Sequence, residues 1–321
     1  MSPSLLIIGP DIRKRGVGGV TIHVRRLRDY LDSIGFDHVF MDSRNTSLID
    51  LVYAIVKHDI VHLHISNPVF LLALVMFSRT IGKKVVMTLH GDYGRFGRLK
   101  NHLVKMSISM STVPIVLNSR SYEICKAFNE NTRLIPAFIP PIKSEPLQED
   151  VIALLDRLHS EGKKLISTNA SNYALDKEGN DIYGIDFLIR EVEGFHQMAL
   201  VISDPSGSYN RIYEKKEGVC SKGSVFFINY PHPFFEVLKH VDYFVRNTST
   251  DGDSLSVKEA LYLGVPTICT SVVDRPEGVR LFGYCDKDSF KMCFDERPPV
   301  SKSVENGAER IVTVYSMLAA C

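Results

Sequence analysis

The chain has 321 residues, of which 45% are hydrophobic and 23% are charged, and its formal net charge is +1 at pH 7. This length is too great for one typical core and suits two domains of an ordinary globular protein. The balanced charge excludes a broad nucleic-acid-binding surface, which needs a clear excess of basic residues.

The first half alternates apolar runs with helix-length segments. The runs show no strict polar alternation, which is typical of strands buried on both faces of a parallel sheet. Strands are predicted at 5–9, 38–42, 60–65, 84–90, 114–119 and 133–138, and helices at about 18–34, 68–81, 99–110 and 120–128. The second of these helices has Ser66 or Asn67 as its N-cap and Pro68 as its first residue.

A segment with four prolines, AFIPPIKSEP at 137–146, interrupts this alternation and is predicted to be a linker. Strands then resume at 164–170, 198–203, 225–230, 242–247 and 266–271. The expected domains are 1–143 and 144–303, and a terminal helix at about 304–321 could pack back on either half. This pattern predicts an α/β chain with two Rossmann-like domains, whose parallel sheets face a ligand-binding cleft.

Neither the cysteines nor the apolar runs indicate export or membrane insertion. The six cysteines form no CxxC pair and no zinc-binding spacing, so a reducing compartment is expected. The first apolar run, LLIIG, indicates a strand rather than a signal peptide, and VFLLALVMF at 69–77 is too short to cross a bilayer. We therefore expect a cytoplasmic protein.

Two features of the first half could meet a ligand. Gly18 and Gly19 lie in a loop between a strand and a helix, where backbone amides favour a phosphate, although a flexible turn would have the same glycines. His64 and His90 end two predicted neighbouring strands, where a histidine could contact a ligand or could be structural.

The segment RFGRLKNHLVKM at 95–106 mixes basic and apolar residues. It could be a basic amphipathic surface that meets anionic lipid. The alternative is a helix with one solvated face and one core face.

The segment TSTDGDSLSVKEALYLGVP at 248–266 contains two acids, Asp251 and Glu259. On a helix over 254–264, Glu259 lies nearly opposite the apolar stripe, so we expect it to point away from the core. As a structural alternative, Glu259 could close a capping box with Ser256, and Asp251 could belong to a turn. As a functional alternative, both carboxylates accept hydrogen bonds from sugar hydroxyls on either side of a diphosphate held at the helix start.

The second half resembles the retaining GT-B-fold glycosyltransferases of family four in their acid–x7–acid donor motif. The match falls on Asp242, Asp251, Gly252, Glu259, Ala260, Gly264 and Pro266. The first half resembles the same family in its GVGG loop, its VHLH strand and its TLHG segment.

The resemblance implies transfer of a hexosyl group, with retention of configuration, from a nucleotide diphosphate sugar to a saccharide or lipid-linked acceptor. It further implies bacterial surface-polysaccharide biosynthesis at the inner face of the plasma membrane, by a peripheral protein. Catalytic positions beside the donor sugar fall on His90 and Asp251. The resemblance places donor-binding positions on Gly18, Gly19 and Glu259. The other expected donor-binding residues are Gly252, Asp253, Ser254 and Leu255 around the helix start, and Arg246 as a nearby cation. No metal and no other cofactor is expected.

One feature departs from the family pattern, which places an Arg and a Lys after the first strand of the second domain to neutralise the diphosphate. Tyr183 stands at the Lys position, and Asn169 or Ser171 stands near the Arg position. Arg246 is the best-placed substitute, although it could instead pair with a neighbouring acid. The other nearby cations are Lys177, Lys258 and Arg275.

The missing pair leaves two further hypotheses open. The chain could be a degenerate partner subunit that binds nucleotide sugar or glycan without turnover. It could also be a GT-B-fold sugar epimerase, although such an enzyme should lack the acid pair.

Overall fold

The structure, a computed structural model, describes residues 4–11, 19–143, 145–214, 224–251, 254–295 and 304–320. It divides into two compact units, one of Met1–Lys143 with Glu305–Cys321 and the other of Ser144–Val304. Each unit contains one six-stranded sheet, and every strand pair described in the two sheets is parallel.

The strands are β1 Leu5–Gly9, β2 His38–Asp42, β3 Ile60–Leu63, β4 Lys84–Leu89, β5 Val113–Val116, β6 Arg133–Leu134, β7 Lys164–Asn169, β8 Met198–Ser203, β9 Val225–Ile228, β10 Tyr243–Arg246, β11 Thr267–Thr270 and β12 Val279–Phe282. The helices are α1 Gly19–Ser33, α2 Leu48–Lys57, α3 Pro68–Thr80, α4 Arg98–Met110, α5 Ser119–Lys126, α6 Glu149–Ser160, α7 Ile185–Glu193, α8 Ser208–Tyr213, α9 Phe234–Leu238, α10 Leu255–Leu263, α11 Lys287–Met292 and α12 Gly307–Ala320. The sheet of the first unit has the order β2-β1-β3-β4-β5-β6, and that of the second has the order β12-β11-β10-β7-β8-β9.

Both faces of each sheet are buried, which explains the continuous apolar runs. In β1, Leu6 and Ile8 pack in one hydrophobic cluster, whereas Leu5 and Ile7 pack in another. Alternate residues of a strand point to opposite faces, so helices must cover the sheet on both sides.

The predicted elements are confirmed most closely where the local chemistry is specific. The strands at 5–9, 38–42 and 198–203 have the predicted bounds. Helix α3 begins at Pro68, and the side chain of Asn67 accepts hydrogen bonds from the backbone amides of Val69 and Phe70. Asn67 is therefore the N-cap, because its oxygen satisfies amides that lack an intrahelical partner.

Three differences concern elements with weaker signals. Helix α2 was not predicted. Its apolar residues form no single stripe, because they lie on both its buried and its exposed sides: Ile55 is buried, whereas Ile49 is 80% exposed. Strand β12 was also not predicted, and β6 has two residues rather than the six predicted at 133–138. Short edge strands carry too few residues for a period to be recognised.

The terminal helix α12 packs on the first unit. Its residues Ala308, Ile311 and Tyr315 are fully buried in a cluster with residues of β1 and α1. The hydroxyl of Tyr315 is hydrogen-bonded to Nδ1 of His62, whose Nε2 lies 2.8 Å from Oγ1 of Thr88. A Cβ added at Gly307 would lie 2.2 Å from the carbonyl oxygen of Pro136, so only glycine allows this approach.

Candidate functional site

The carboxylate of Asp251 is held by two arginines. Arg246, the last residue of β10, places Nε 3.0 Å from Oδ2 of Asp251 and Nη2 3.2 Å from Oδ1, which is a two-point ion pair. Nη1 of Arg275 lies 2.8 Å from the same Oδ2. The three side chains are 11%, 9% and 2% exposed for Arg246, Asp251 and Arg275 respectively. Two guanidinium groups and one carboxylate leave one net positive charge among them.

Asp251 is ionised in this setting. Burial acts to raise the pKa of its carboxyl, but the charges and hydrogen bonds of Arg246 and Arg275 outweigh burial and hold the pKa below its ordinary value. The alternative in which Arg246 pairs with a neighbouring acid is therefore present in the structure. Arg275, one of the other nearby cations in the sequence, is a second partner of the same carboxylate.

Arg246 also contacts Tyr183, at the place of the absent Lys, and Asn169, one of the two residues near the place of the absent Arg. Its Nη1 lies 3.0 Å from the carbonyl oxygen of Asn169 and 3.2 Å from Oδ1 of that side chain. Its guanidinium carbon lies 5.1 Å from the ring centroid of Tyr183, a cation–π contact. One arginine from β10 thus occupies the space between the two substituted positions.

Arg275 is anchored at the end of β11. Its Nε donates to the carbonyl oxygen of Thr270 at 3.1 Å, and its Nη2 donates to Oγ1 of Thr248 at 3.1 Å. Because β7, β10 and β11 are neighbours in the sheet, their carboxyl ends bring Asn169, Arg246 and Thr270 to one edge.

Helix α10 begins one residue later than predicted, and its start corrects the capping hypothesis. Ser254 is the N-cap, without a side-chain capping hydrogen bond, and Ser256 is already the second helical residue. A capping box between Ser256 and Glu259 is therefore wrong, since such a box requires its serine at the N-cap. The Oγ atoms of Ser254 and Ser256 lie 3.1 Å apart.

Glu259 is buried, with 4% of its surface exposed, although the helical pattern placed it away from the core. The prediction failed because α10 is covered on more than its apolar stripe. Its buried residues are Ser256, Val257, Glu259, Ala260 and Leu261, which at 3.6 residues per turn span more than half of the helix circumference. A buried carboxylate one turn into a helix is a stronger candidate for a ligand contact than a solvated one.

Three histidines meet in the first unit. Nδ1 of His64 lies 2.9 Å from Nε2 of His90, and the His23 ring centroid lies 5.4 Å from that of His64 and 5.1 Å from that of His90. Burial lowers the pKa of His23 to about 4 and holds the pKa values of His64 and His90 well below the ordinary value. All three rings are therefore uncharged at neutral pH.

The sequence singled out His64 and His90 but not His23. A signal was present, because His23 shares the four-residue helical spacing of the buried residues Leu27 and Leu31 on α1. A polar residue on an apolar stripe has to find a partner inside the protein.

The remaining predicted donor residues are only partly described. Gly18, Gly252 and Asp253 lie outside the described residues. Gly19 is the first residue of α1. Apart from its chain neighbours and the nearby backbone of α1, no atom of the described residues lies within 4 Å of the place where its Cβ would be. Leu255 is the first residue of α10.

The basic segment at 95–106 presents its charges to solvent. Arg95, Arg98 and Lys105 are exposed, and Leu99 on the same segment is 74% exposed. Val104 is buried, so the segment also has a core face. Among the described residues, no helix is long and apolar enough to span a bilayer.

Comparison with known proteins identifies the fold. No protein-family model matches the sequence, and no curated protein matches it. Anabaena HepE in complex with UDP is similar over 99% of this chain and 97% of its own, with a TM-score of 0.66 and 11% identity. Sucrose-phosphate synthase from Thermosynechococcus elongatus is similar over 99% and 96% respectively, with a TM-score of 0.63 and 14% identity. MnaA from S. aureus, solved with UDP, is similar over 98% of this chain and 97% of its own, with a TM-score of 0.65 and 13% identity.

The chain has the GT-B fold, with two Rossmann-like domains. At these identities the likeness extends to the fold alone. In open parallel sheets of this kind, ligands bind beyond the carboxyl ends of the strands. The Asp251–Arg246–Arg275 cluster lies at that edge of the second sheet, and Asp251 precedes Ser254, the N-cap of α10, by three positions in the sequence.

Proposed function

We propose that this protein is a glycosyltransferase that takes a sugar from a nucleotide diphosphate sugar. The observation that carries the proposal is the buried Asp251–Arg246–Arg275 cluster, with its net positive charge, at the strand ends of a GT-B chain. Such a cluster, next to the amides of a helix N-terminus, favours a diphosphate. HepE has been solved with UDP and with UDP-glucose, which supports this class of ligand.

The roles of the donor residues are proposed from the family resemblance, each within its own unit. In the second unit the resemblance assigns Glu259 to the ribose and Asp251 to the donor sugar. In the first unit it assigns His90 to the donor sugar and Gly18 and Gly19 to the diphosphate. Arg246 is proposed to replace the cations that the family takes from the absent pair, because it contacts Tyr183 at the Lys position and Asn169 near the Arg position.

The chemistry proposed is transfer with retention of configuration. The bond between the anomeric carbon and the diphosphate oxygen breaks with its electron pair left on that oxygen, and the acceptor oxygen bonds to the same face of the anomeric carbon. The proton of the acceptor hydroxyl passes to the departing nucleoside diphosphate, which is released. Since the diphosphate is already a good leaving group, the protein's contribution is to position the reactants and to stabilise the departing charge with Arg246, Arg275 and the start of α10. In this proposal, protein cations supply that charge stabilisation and no metal ion takes part.

The acceptor is proposed to be a saccharide or a lipid-linked saccharide in bacterial surface-polysaccharide biosynthesis. This part rests on the family resemblance alone. Screening acceptors with radiolabelled nucleotide sugars would test it.

A second candidate is a partner subunit that binds nucleotide sugar without turnover. It is favoured by the contacts of Asp251, whose two carboxylate oxygens both accept hydrogen bonds from arginines. A donor sugar would have to compete with these arginines for the carboxylate. Donor binding without hydrolysis or transfer would support the partner, whereas turnover would support the transferase.

Replacing Glu259 with glutamine tests the nucleotide site. The variant keeps the shape of the side chain and removes its charge, so a charge-assisted hydrogen bond to the ribose becomes a neutral one. We expect the nucleotide dissociation constant to rise about tenfold, near 1.4 kcal/mol, in calorimetric titrations. Nucleoside and nucleoside diphosphate should weaken by the same factor, because both carry the ribose.

The matched control is Glu161→Gln in the same unit, where the glutamate side chain is 50% exposed beside Arg157. It should leave nucleotide affinity unchanged. If Glu259→Gln lowers the melting temperature while affinity stays at the wild-type value, Glu259 has a structural role only.

We also propose that the exposed basic surface of 95–106 contacts anionic lipid. Vesicles with anionic headgroups should retain the protein at low salt and release it at high salt, since salt screens the attraction. Changing Arg95, Arg98 and Lys105 together to glutamine should abolish retention in a flotation assay, because each basic residue near the surface contributes about 1 kcal/mol.

The control for this variant removes the same charge elsewhere. Arg157, Lys239 and Lys291 have side chains that are 59%, 43% and 46% exposed, and their replacement by glutamine should preserve retention. Equal loss in both triple variants would mean that net charge, and not this surface, governs binding.

A further inference from the structure

The three histidines of the first unit come from three different elements. His23 lies on α1, His64 follows β3 and His90 follows β4. One nitrogen can be chosen from each ring so that all three nitrogens lie within 4.8 Å of one another. His23 is 4% and His64 is 1% exposed, whereas His90 is only partly buried. Of the three histidines, His90 is thus the one that is not fully buried.

The hydrogen bonds of His23 fix which of its nitrogens carries a lone pair. Its Nδ1 lies 2.8 Å from the carbonyl oxygen of Ala137. A carbonyl can only accept, so Nδ1 carries the proton and Nε2 presents the lone pair. This arrangement, in which one ring nitrogen donates to a backbone carbonyl and the other is available, is the one that metal-binding histidines adopt.

Two buried nitrogens of the cluster lack a hydrogen-bond partner. Within the ranges of the chain that the structure describes, no donor or acceptor is within hydrogen-bond reach of Nε2 of His23 or of Nε2 of His64. Buried polar atoms are rarely left in this state, because the loss of solvation is not recovered. Nδ1 of His64 shares a hydrogen bond of 2.9 Å with Nε2 of His90. In the tautomer in which Nδ1 of His64 is the donor, Nε2 of both His23 and His64 presents a lone pair, and such a pair of buried nitrogens suits a ligand that accepts lone pairs.

His62 lies beside the cluster but does not belong to it. Its ring centroid is 4.1 Å from that of His64. Both of its nitrogens already have partners, the hydroxyl of Tyr315 and Oγ1 of Thr88. His62 therefore packs against His64 and leaves three candidate ligands.

We propose that His23, His64 and His90 form a binding site for a divalent transition-metal ion such as Zn²⁺, Co²⁺ or Ni²⁺. Imidazole nitrogens suit these ions, whereas Mg²⁺ and Ca²⁺ require oxygen ligands. Three protein ligands leave a fourth position of a tetrahedral ion for water or an anionic oxygen. The site goes beyond the proposed sugar transfer, although it shares His90 with the proposed donor contacts. Metal binding is measured without nucleotide sugar, so its outcome does not depend on the proposed transfer.

Calorimetric titration of chelator-treated protein, without nucleotide sugar, tests the site. Zn²⁺ and Co²⁺ should each bind at one ion per chain, and Mg²⁺ should give no binding. His23→Gln and His64→Gln should each weaken Zn²⁺ binding by at least about tenfold, because even the loss of an outer-shell partner of a ligand has an effect of this size. His58→Gln is the control, since His58 lies in the same unit with its Nδ1 already 2.7 Å from the carbonyl oxygen of Ala54.

The melting temperature provides a second test if a variant of a buried histidine folds poorly. Zn²⁺ should raise the melting temperature of the wild-type protein and of His58→Gln, because an ion that binds only the folded state stabilises it. His90→Gln changes the partly exposed member and should abolish this increase while the circular-dichroism spectrum stays native. The proposal is wrong if wild-type protein does not bind Zn²⁺, if Mg²⁺ binds equally well, or if all folded histidine variants retain wild-type affinity.

Discussion

Asp251→Asn should lower the free energy of unfolding by about 3–5 kcal/mol, because it leaves two buried arginines without their shared countercharge. Arg246 and Arg275 are 11% and 2% exposed at their side chains, so water cannot replace the carboxylate. An asparagine side chain has the same shape as aspartate, but it has one neutral oxygen acceptor in place of the two carboxylate oxygens that accept hydrogen bonds from the arginines. Urea unfolding followed by circular dichroism measures the loss, and amide exchange in β10 and β11 assigns it to the second unit.

The pH dependence of this difference has a definite sign. The pKa of Asp251 is lowered in the folded protein, so its ionisation stabilises the fold above the ordinary carboxyl value of about 3.9. That stabilisation is lost as the pH falls through the lowered pKa. The difference in free energy of unfolding between wild-type protein and Asp251→Asn should therefore have its full value near neutral pH and should become smaller below about pH 4.

Asp29→Asn is the matched control for this prediction. Asp29 pairs with Arg25 at 3.9 Å, but the two side chains are 24% and 44% exposed. Exposed pairs of this kind contribute about 0.2–1 kcal/mol. Equal effects of the two substitutions, or a gap between Asp251→Asn and wild type that stays constant with pH, would contradict the assignment of a buried, doubly paired carboxylate.

Tyr315→Ala should destabilise the first unit by about 3–5 kcal/mol, through the loss of a large buried ring and the cavity left behind. Tyr315 is fully buried between α12 and the first sheet, and its hydroxyl is a partner of the buried His62. Tyr315→Phe keeps the ring and removes only the hydroxyl, which leaves Nδ1 of the buried His62 without this partner, so it should have a smaller effect, about 1–3 kcal/mol.

The exposed Tyr53 supplies the control for the ring. Its surface is 61% exposed, and Tyr53→Ala should change the free energy of unfolding by less than about 0.5 kcal/mol. Thermal melts of the three variants rank the effects. If Tyr315→Ala melts like Tyr53→Ala, α12 does not hold the first unit together.

The sequence predicted the layers of the fold because burial on two faces leaves a local signature. A parallel strand covered on both sides must be apolar at successive positions, as LLIIG of β1 is, and this signature does not depend on where the strand lies in the sheet. The N-cap of α3 was also predictable, since Asn67 satisfies amides only two and three residues away.

The candidate site was predictable in its residue types but not in its pairings. The donor motif and the histidines after β3 and β4 stand out in the sequence, and their assigned roles remain predictions. The burial of Glu259 was not predictable from α10 alone, because a helical pattern identifies the apolar stripe but not what covers the polar side.

The amino-acid sequence by itself determined which segments became strands and helices and which acids, arginines and histidines lay at their ends. Only the tertiary structure decided which of these side chains meet. The strand order β11-β10-β7 brings Arg275, Arg246 and Asn169 to one edge, and the packing of α1 on the first sheet brings His23 to His64 and His90. These contacts join residues far apart in the chain, and their electrostatic energies depend on distance and burial, which local sequence patterns do not record.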